Sequence, residues 1–160
     1  MTQTNRGTVL LNIARLGGED RGARLREALA AYDAALEHYT LERAPLDYAA
    51  TQNNRAVLLR EMAALAEEGR RTRLLEALSA CDWALSHYTL EVVAFDHAMT
   101  LNNMGNIVAD LAGEPGEDRR GRLLEALACY DKALECYRPD IVPFEYARTQ
   151  NNGAALFYDL

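Results

Sequence analysis

The chain is poor in the residues on which metal sites and disulfide frameworks depend. Its 160 residues include three cysteines and three histidines, with no Cys-x-x-Cys pair and no histidine pair at metal-ligand spacing. We therefore expect no metal, no cofactor and no disulfide framework. The odd number of thiols favours a reducing compartment such as the cytoplasm. A chain of this length buries enough apolar surface to fold without such cross-links.

Basic charge and long apolar runs are also scarce. The 17 Lys and Arg residues are outnumbered by 24 Asp and Glu residues, which gives a net charge of −7. Nucleic acid and anionic membranes are disfavoured as partners, because both attract basic surfaces. No apolar run approaches the roughly 18 residues of a membrane span, and the residues after Met1 do not resemble a secretory signal. The 49% of apolar residues predicts a chain with a buried core instead.

The dominant feature of the sequence is an internal repeat with a period of 49 residues. A Thr-x-x-Asn motif recurs without a gap at Thr2, Thr51, Thr100 and Thr149. A second motif, Glu-Ala-Leu-x-x-(Tyr/Cys)-Asp-x-Ala-Leu, recurs three times at the same offset. We therefore predict one domain over residues 1–160, built from three full units and a half-unit: 2–50, 51–99, 100–148 and 149–160.

Each unit contains two helical patterns. Apolar residues at steps of three or four predict a helix over about 22–39, which we name helix B. Pro45 suits a first helical turn, and the pattern after it predicts a helix over about 46–66, named helix A. No segment alternates with a period of two, so no sheet is expected. The predicted fold class is all-α, with about seven helices stacked as an α-solenoid.

The small and aromatic positions of these helices resemble those of a known repeat family. Gly7 and Gly105 in helix A, with Ala28, Tyr32 and Ala35 in helix B, are similar to the motif positions of the tetratricopeptide repeat. That repeat is about 34 residues long, so the unit looks more similar to a long bacterial variant with a Thr-Gln-Asn-Asn-type helix A. The resemblance implies antiparallel helix pairs, stacked in a right-handed superhelix whose A helices line a concave face. It also implies protein or peptide binding without catalysis.

Neighbouring asparagines recur inside helix A, although asparagine is a mediocre helix former. We expect one asparagine column to join neighbouring units by hydrogen bonds. The other column is predicted to bind the backbone of a peptide, because an amide both donates and accepts. The first column comprises Asn5, Asn54, Asn103 and Asn152, and the second comprises Asn53, Asn102 and Asn151.

Helical spacing adds further residues to the predicted groove. They lie beyond the asparagines on the same helices and are Arg60, Glu61, Asn106, Asp110, Arg148, Tyr158 and Asp159. Asn54 and Asn103 are also groove candidates. Because isolated arginines stand among acids on this face, a neutral or basic ligand is favoured over an acidic one.

Charged residues recur at the start of helix B. Arg24 and Glu27 lie three residues apart, and equivalent pairs follow as Arg73 with Glu76 and Arg122 with Glu125. We interpret them as ion pairs that order the loop before the helix. Asp33 is likewise interpreted as a partner on the helix surface.

No catalytic constellation is evident, so we predict that the protein is not an enzyme. Cys81 and His87 are six residues apart on one helix and would point away from each other. Trp83 is predicted to lie on the exposed edge of helix B. The preferred function is a scaffold that binds a protein or peptide on its concave face. The alternative is a self-associating or structural segment of a longer array in a multidomain bacterial signalling protein, with a homodimer formed through uncapped solenoid ends.

Overall fold

The structure, a computed structural model, describes residues 2–18, 20–66, 68–88 and 90–156. Tyr158 and Asp159, two of the predicted groove residues, lie outside the described residues. The described part contains seven α-helices and no strand, which confirms the all-α prediction. The helices are α1 (Gln3–Arg15), α2 (Arg21–His38), α3 (Pro45–Ala64), α4 (Arg70–Leu85), α5 (Leu90–Leu111), α6 (Arg119–Cys136) and α7 (Pro143–Leu156). The right-handed superhelix stays a prediction.

The helix starts follow the repeat of the sequence. The B helices α2, α4 and α6 begin at Arg21, Arg70 and Arg119, which are 49 residues apart. The A helices α3 and α7 begin at Pro45 and Pro143, where the missing proline N–H would have no helical acceptor. Local chemistry at the first turn therefore sets where these helices begin.

The A helix α5 lacks this proline but keeps the backbone break that precedes it. Ala44 stands before Pro45 with φ −151° and ψ 65°. Val93, the equivalent residue, has φ −145° and ψ 59° inside α5, although Ala94 follows it. Proline disfavours the helical region for the residue before it, whereas alanine does not. The surrounding fold therefore maintains the break at Val93 without help from proline.

The chain forms two compact subdomains, Met1–His87 and Tyr88–Leu160, whose bounds differ from those of the repeat units. In the first subdomain, α1 packs on α2, α2 on α3, and α3 on α4. In the second subdomain, α5 packs on α6 and α6 on α7. The core of the first subdomain includes Leu10, Leu11, Leu25, Tyr32 and Leu58. Burying these apolar side chains supplies most of the stability of the helix pairs, because short isolated helices are marginal in water.

Candidate functional site

Two of the three helix pairs pack a tyrosine against a glycine. A Cβ atom added at Gly7 would lie 2.6 Å from Cε1 of Tyr32, and one added at Gly105 would lie 2.5 Å from Cε1 of Tyr130. Both tyrosines are buried, so the rings have little room to move. Glycine is required at these positions because any larger residue would overlap the ring.

The middle pair, α3 and α4, fills the same positions with different residues. Ala56 stands where the other pairs have glycine, and Cys81 stands where they have tyrosine. Both residues are fully buried. A larger residue on helix A thus accompanies a smaller residue on helix B, which conserves volume at the contact.

The polar partners of the tyrosines change together with this contact. Tyr32 Oη lies 3.2 Å from Thr8 Oγ1, and Tyr130 Oη donates to Asn106 Oδ1 at 3.0 Å. The middle pair has Val57 at the position of Thr8 and Asn106, where it has no phenol to bond. Asn106, a predicted groove residue, therefore accepts a hydrogen bond inside its own helix pair.

The structure buries two members of the asparagine column predicted to bind a ligand. Asn53 and Asn102 are each 2% exposed, whereas Asn151 is exposed. Asn102 Oδ1 accepts from Asn152 Nδ2 at 3.1 Å and lies 3.1 Å from Thr149 Oγ1. The Asn102 amide therefore joins α5 to α7 and does not line an open surface.

In the first subdomain, two threonine hydroxyls make the equivalent contact between A helices. Thr51 Oγ1 lies 3.0 Å from Thr4 Oγ1, in the same register as the contact between Thr149 and Asn102. Thr51 Oγ1 also donates to the Asp47 carbonyl at 2.8 Å, one turn earlier in α3. Thr51 and Thr149 of the Thr-x-x-Asn motif are therefore packing residues between A helices, whereas Thr2 caps the start of α1.

The remaining predicted groove residues are spread over both units. Glu61 in α3 pairs with Arg15 at 2.6 Å and lies 3.7 Å from Arg21, so it joins α3 to the end of α1 and the start of α2. Arg148 is exposed, with its guanidinium carbon 5.8 Å from the centre of the Phe144 ring. Asn54, Asn103, Arg60 and Asp110 are all half-buried. The two grooves described next are lined by other residues.

A groove of about 490 Å³ lies between α2 and α4 in the first subdomain, and α3 contributes to its lining. Three carboxylates, a guanidinium, an amide and an indole line it: Asp33, Glu37, Arg55, Gln52, Glu76 and Trp83. Arg55 Nε donates to Asp33 Oδ1 at 2.8 Å, which joins α3 to α2. Glu37 and Glu76 have no cationic partner among the residues that the structure describes. We name this surface the α2–α4 groove.

Glu76 is unpaired although its counterparts in the other units form ion pairs. Glu125 lies 2.9 Å from Arg122, and Glu27 lies 3.6 Å from Arg24. The hydrogen bond to Glu117, followed by the one to Glu125, raises the pKa of the Arg122 guanidinium. The glutamate at this position is therefore ion-paired in the first and third repeat units.

The loop before α4 explains why the second unit differs. Arg73 Nη1 donates to the Glu68 carbonyl at 3.0 Å in place of the Glu76 carboxylate. Gly69, with φ 70°, precedes α4 where Asp118 caps α6 by accepting from a backbone N–H. A Cβ atom at Gly69 would lie only 3.2 Å from Arg73 Nη1. Arg122 of the third repeat unit also bonds to its preceding loop, at Glu117, but it bonds to Glu125 as well. Arg73 bonds to the loop and not to Glu76, so the Glu76 carboxylate lines the groove without an ion pair to a described residue.

Trp83 and Gln52 complete the groove. Trp83 is 48% exposed and is the only tryptophan of the chain, at a position held by Ala34 and Lys132 in the other units. Gln52 is 8% exposed, and its Nε2 donates to Tyr48 Oη at 3.0 Å. Within the described residues, Gln52 Oε1 accepts no hydrogen bond. The α2–α4 groove thus combines an open aromatic face with unpaired acceptor oxygens.

Sequence reasoning placed Trp83 on an exposed edge and Asp33 in a surface pair, and the structure shows both. It missed Glu37, Gln52 and Glu76 as neighbours in one groove. The available signal was the divergence of the second unit from the others. Trp83 replaces Ala or Lys there, and the loop before α4 carries a glycine in place of an aspartate.

A second groove of about 340 Å³ lies between α6 and α7. Leu134 and Gln150 line it at the positions that Leu36 and Gln52 occupy in the α2–α4 groove. In the first subdomain α4 lies beside these positions, whereas the described part of the second subdomain has no helix equivalent to α4. Gln150 is consequently exposed where Gln52 is buried.

No family model, curated protein or solved structure matches the chain. No group of three His, Cys, Asp or Glu side chains suited to holding a metal ion occurs among the described residues. None of the described helices is long and apolar enough to cross a membrane. We therefore infer function from the geometry of the two grooves and from the differences between the repeat units.

Proposed function

We propose that the protein is a non-enzymatic scaffold that binds a protein or peptide segment in the α2–α4 groove. One observation carries this proposal: the half-exposed indole of Trp83 stands beside the unpaired carboxylates of Glu37 and Glu76. Tryptophan is a common anchor in protein interfaces, because it combines a large apolar area with a polar edge. The resemblance to the tetratricopeptide repeat also favours a binding role. In our proposal, however, the surface includes the B helices α2 and α4, whereas the resemblance implied the A-helix face.

The cysteines support a scaffold that works in a reducing compartment such as the cytoplasm. Cys81, Cys129 and Cys136 form no disulfide bond with one another. Cys81 is fully buried and Cys129 is 7% exposed, so neither thiol reaches a substrate from the surface. Burial also raises the pKa of the Cys136 thiol, which lowers its nucleophilicity at neutral pH. These environments favour structural thiols over catalytic ones.

Site-specific photocrosslinking tests the binding role. A photoreactive amino acid at Ser79, which lines the α2–α4 groove, should capture the partner from a lysate. The matched control carries the same group at Ala128, the exposed equivalent position in α6. We expect an adduct at Ser79 that disappears when Trp83→Ala is added, and no such adduct at Ala128. Equal adducts at both positions would contradict the assignment of binding to this groove.

Self-association is a second candidate function, favoured by exposed apolar side chains at the start of α7. Ile141 and Phe144, just before and within the first turn of α7, are 63% and 70% exposed. Neither side chain lines the groove between α6 and α7. Neighbouring exposed apolar side chains are typical of an interface. A second copy of the chain is the occupant that this candidate requires.

Sedimentation equilibrium tests self-association. A dimer should dissociate in the variant Phe144→Glu, because a carboxylate is costly to bury in an apolar contact. Leu46→Glu is the matched control, since Leu46 occupies the equivalent position at the start of α3 and is 42% exposed. A wild-type chain that stays monomeric at every concentration would exclude this candidate.

A further inference from the structure

We propose that the segment bound in the α2–α4 groove carries a cationic side chain, arginine or lysine, placed over the Trp83 ring and between the carboxylates of Glu37 and Glu76. This inference rests on the proposed function, since it concerns the same groove, and it names the chemistry of the partner. Charge, the aromatic face, and the buried acceptor Gln52 each support it.

The charge of the groove favours a cation. Its lining contains three carboxylates and one guanidinium. Arg55 pairs with Asp33 at 2.8 Å, so its charge is already matched. Glu37 and Glu76 retain their negative charges without a partner among the described residues. Complementary charge steers a ligand to its site and rejects ligands of the same sign, so an acidic segment is disfavoured here.

The aromatic face adds an attraction that the other units lack. A cation over an indole ring is attracted by the negative face of the ring. Trp83 is 48% exposed and lines the groove together with Glu76. The equivalent residue of the third unit is Lys132, whose ammonium would repel a cation. The combination of indole and unpaired carboxylate occurs in the second unit alone.

The buried part of the groove provides a hydrogen-bond acceptor. Gln52 is 8% exposed, and the bond from its Nε2 to Tyr48 leaves Oε1 as an acceptor without a partner among the described side chains. Ammonium and guanidinium groups are donors only. Leu36 lines the same groove and offers an apolar contact for the methylene stem of lysine or arginine. The lining therefore matches both parts of a long basic side chain.

The emission of Trp83 reports occupancy directly, because it is the only tryptophan. The probe is the peptide acetyl-Ala-Arg-Ala-Arg-Ala-amide, titrated into the full chain. Control peptides carry citrulline, an uncharged arginine analogue, or glutamate at the same positions. We expect a saturable change of emission with arginine and about tenfold weaker binding with citrulline, from the combined loss of ion pairs and cation–π attraction. Free arginine amide distinguishes a small cation from a peptide, and it should bind more weakly than the peptide.

Two matched variants locate the effect in the groove. Glu76→Gln should weaken binding of the arginine peptide about threefold, the size expected for one exposed ion pair. It should leave the fold intact, because Glu76 has no partner to lose among the described residues. Glu125→Gln alters the equivalent residue of the third unit and should leave the affinity unchanged.

The outcomes separate this inference from the proposed function. If the citrulline or glutamate peptide binds as tightly as the arginine peptide, the cation is not the determinant and the inference is wrong, while the scaffold function stands. If free arginine amide binds as tightly as the peptide, the groove recognises a small cation and the peptide assignment is wrong. If no peptide changes Trp83 emission and no adduct forms at Ser79, both proposals are overturned.

Discussion

The middle helix pair and the two outer pairs share one repeat but pack it with different side chains. The outer pairs place a tyrosine ring on a glycine and satisfy the hydroxyl with Thr8 or Asn106. The middle pair has Ala56, Val57 and Cys81 at the three equivalent positions. Because all three positions differ together, the repeat accommodates alternative side-chain sets as long as volume and hydrogen bonding stay balanced.

The same middle pair carries the distinctive residues of the α2–α4 groove. Arg73 bonds to the Glu68 carbonyl, Glu76 forms no ion pair with a described residue, and Trp83 stands where the other pairs have Ala or Lys. The outer pairs retain the ion pairs between Arg24 and Glu27 and between Arg122 and Glu125. The proposed ligand surface therefore coincides with the helix pair that departs from the pattern of the repeat, as ligand sites often break local rules.

The largest expected effect comes from replacing Gly105 and Tyr130 by the residues that the middle pair has at these positions. Gly105→Ala should lower the free energy of unfolding by about 2 kcal/mol, because its Cβ would overlap the buried Tyr130 ring. Tyr130→Cys alone should cost about 3 kcal/mol by leaving a cavity. The double variant imitates the middle pair and should lose about 2 kcal/mol less than the sum of the two. Urea unfolding measures all three.

Gly153→Ala serves as the control for that exchange. Its Cβ would stand 3.7 Å from the nearest atom, an ordinary contact. We expect a gain of about 0.5 kcal/mol, because alanine is the better helix former. If Gly105→Ala is as harmless as Gly153→Ala, the proposed difference between the pairs is wrong.

The asparagine column separates buried from exposed positions. Asn102→Ala should lower the free energy of unfolding by about 2 kcal/mol, because it removes a buried acceptor and leaves the Asn152 amide without its partner. Asn151→Ala, at the exposed equivalent position, should change stability by less than about 0.5 kcal/mol. Chemical unfolding of both variants checks this. If both variants lose equally little stability, the structural role of Asn102 is contradicted and its predicted role in ligand binding is favoured.

Tyr137 distinguishes the third unit from the first, where its counterpart Tyr39 is half-buried. Tyr137 is 3% exposed, and its hydroxyl has no hydrogen-bond partner among the described residues. Burial raises the pKa of Tyr137 to about 12, above the ordinary value of 10.0. The native state therefore holds this proton longer than the unfolded state, and the corresponding stability is present below about pH 10 and lost as the pH rises towards 12.

The variant Tyr137→Phe tests this difference. It removes a buried hydroxyl without a partner, so stability at neutral pH should rise by about 1 kcal/mol. The decline of stability between about pH 10 and pH 12 should become shallower. Tyr39→Phe is the matched control for stability at neutral pH, which it should change by less than about 0.5 kcal/mol. An unchanged alkaline slope in Tyr137→Phe would show that the phenol is solvated in the native state.

Removing single carboxylates gives the smallest effect. Glu125→Gln should lower the free energy of unfolding by about 0.5 kcal/mol, since the 2.9 Å pair with Arg122 is partly exposed. Glu76→Gln should change it by less than about 0.2 kcal/mol, because Glu76 forms no ion pair with a described residue. Thermal unfolding at low salt measures both. An equal loss in the two variants would mean that Glu76 has a structural partner.

The positions of the helices could be predicted closely from the sequence. Helices expected over about 22–39 and 46–66 are observed over Arg21–His38 and Pro45–Ala64. Apolar periodicity and a proline in the first turn are local signals, so they need no knowledge of the neighbouring helices. The coupled change from Gly7 and Tyr32 to Ala56 and Cys81 is also visible in the aligned repeat units. The sequence does not show, however, that the two positions are in contact, which the structure shows by the Tyr32 ring against Gly7.

The orientation of the asparagines and the site could not be predicted in the same way. Asn53 and Asn54 differ by only about 100° around the helix, and helix A contacts neighbours on more than one side, so periodicity does not decide which amide is buried. The α2–α4 groove depends on whether Arg73 bonds to Glu76 or to the Glu68 carbonyl. That choice concerns one side-chain rotamer, which the residue pattern does not determine.

The central claim is that the α2–α4 groove, with Trp83 of the second repeat unit, is the ligand surface of the chain. The most direct measurement is a map of backbone amide chemical-shift changes along the chain during titration with the arginine peptide. We predict changes concentrated around Leu36, Gln52 and Trp83, with little change at the equivalent residues of the other units. Changes centred on Arg148 and Asn151, or spread equally over all units, would contradict the account.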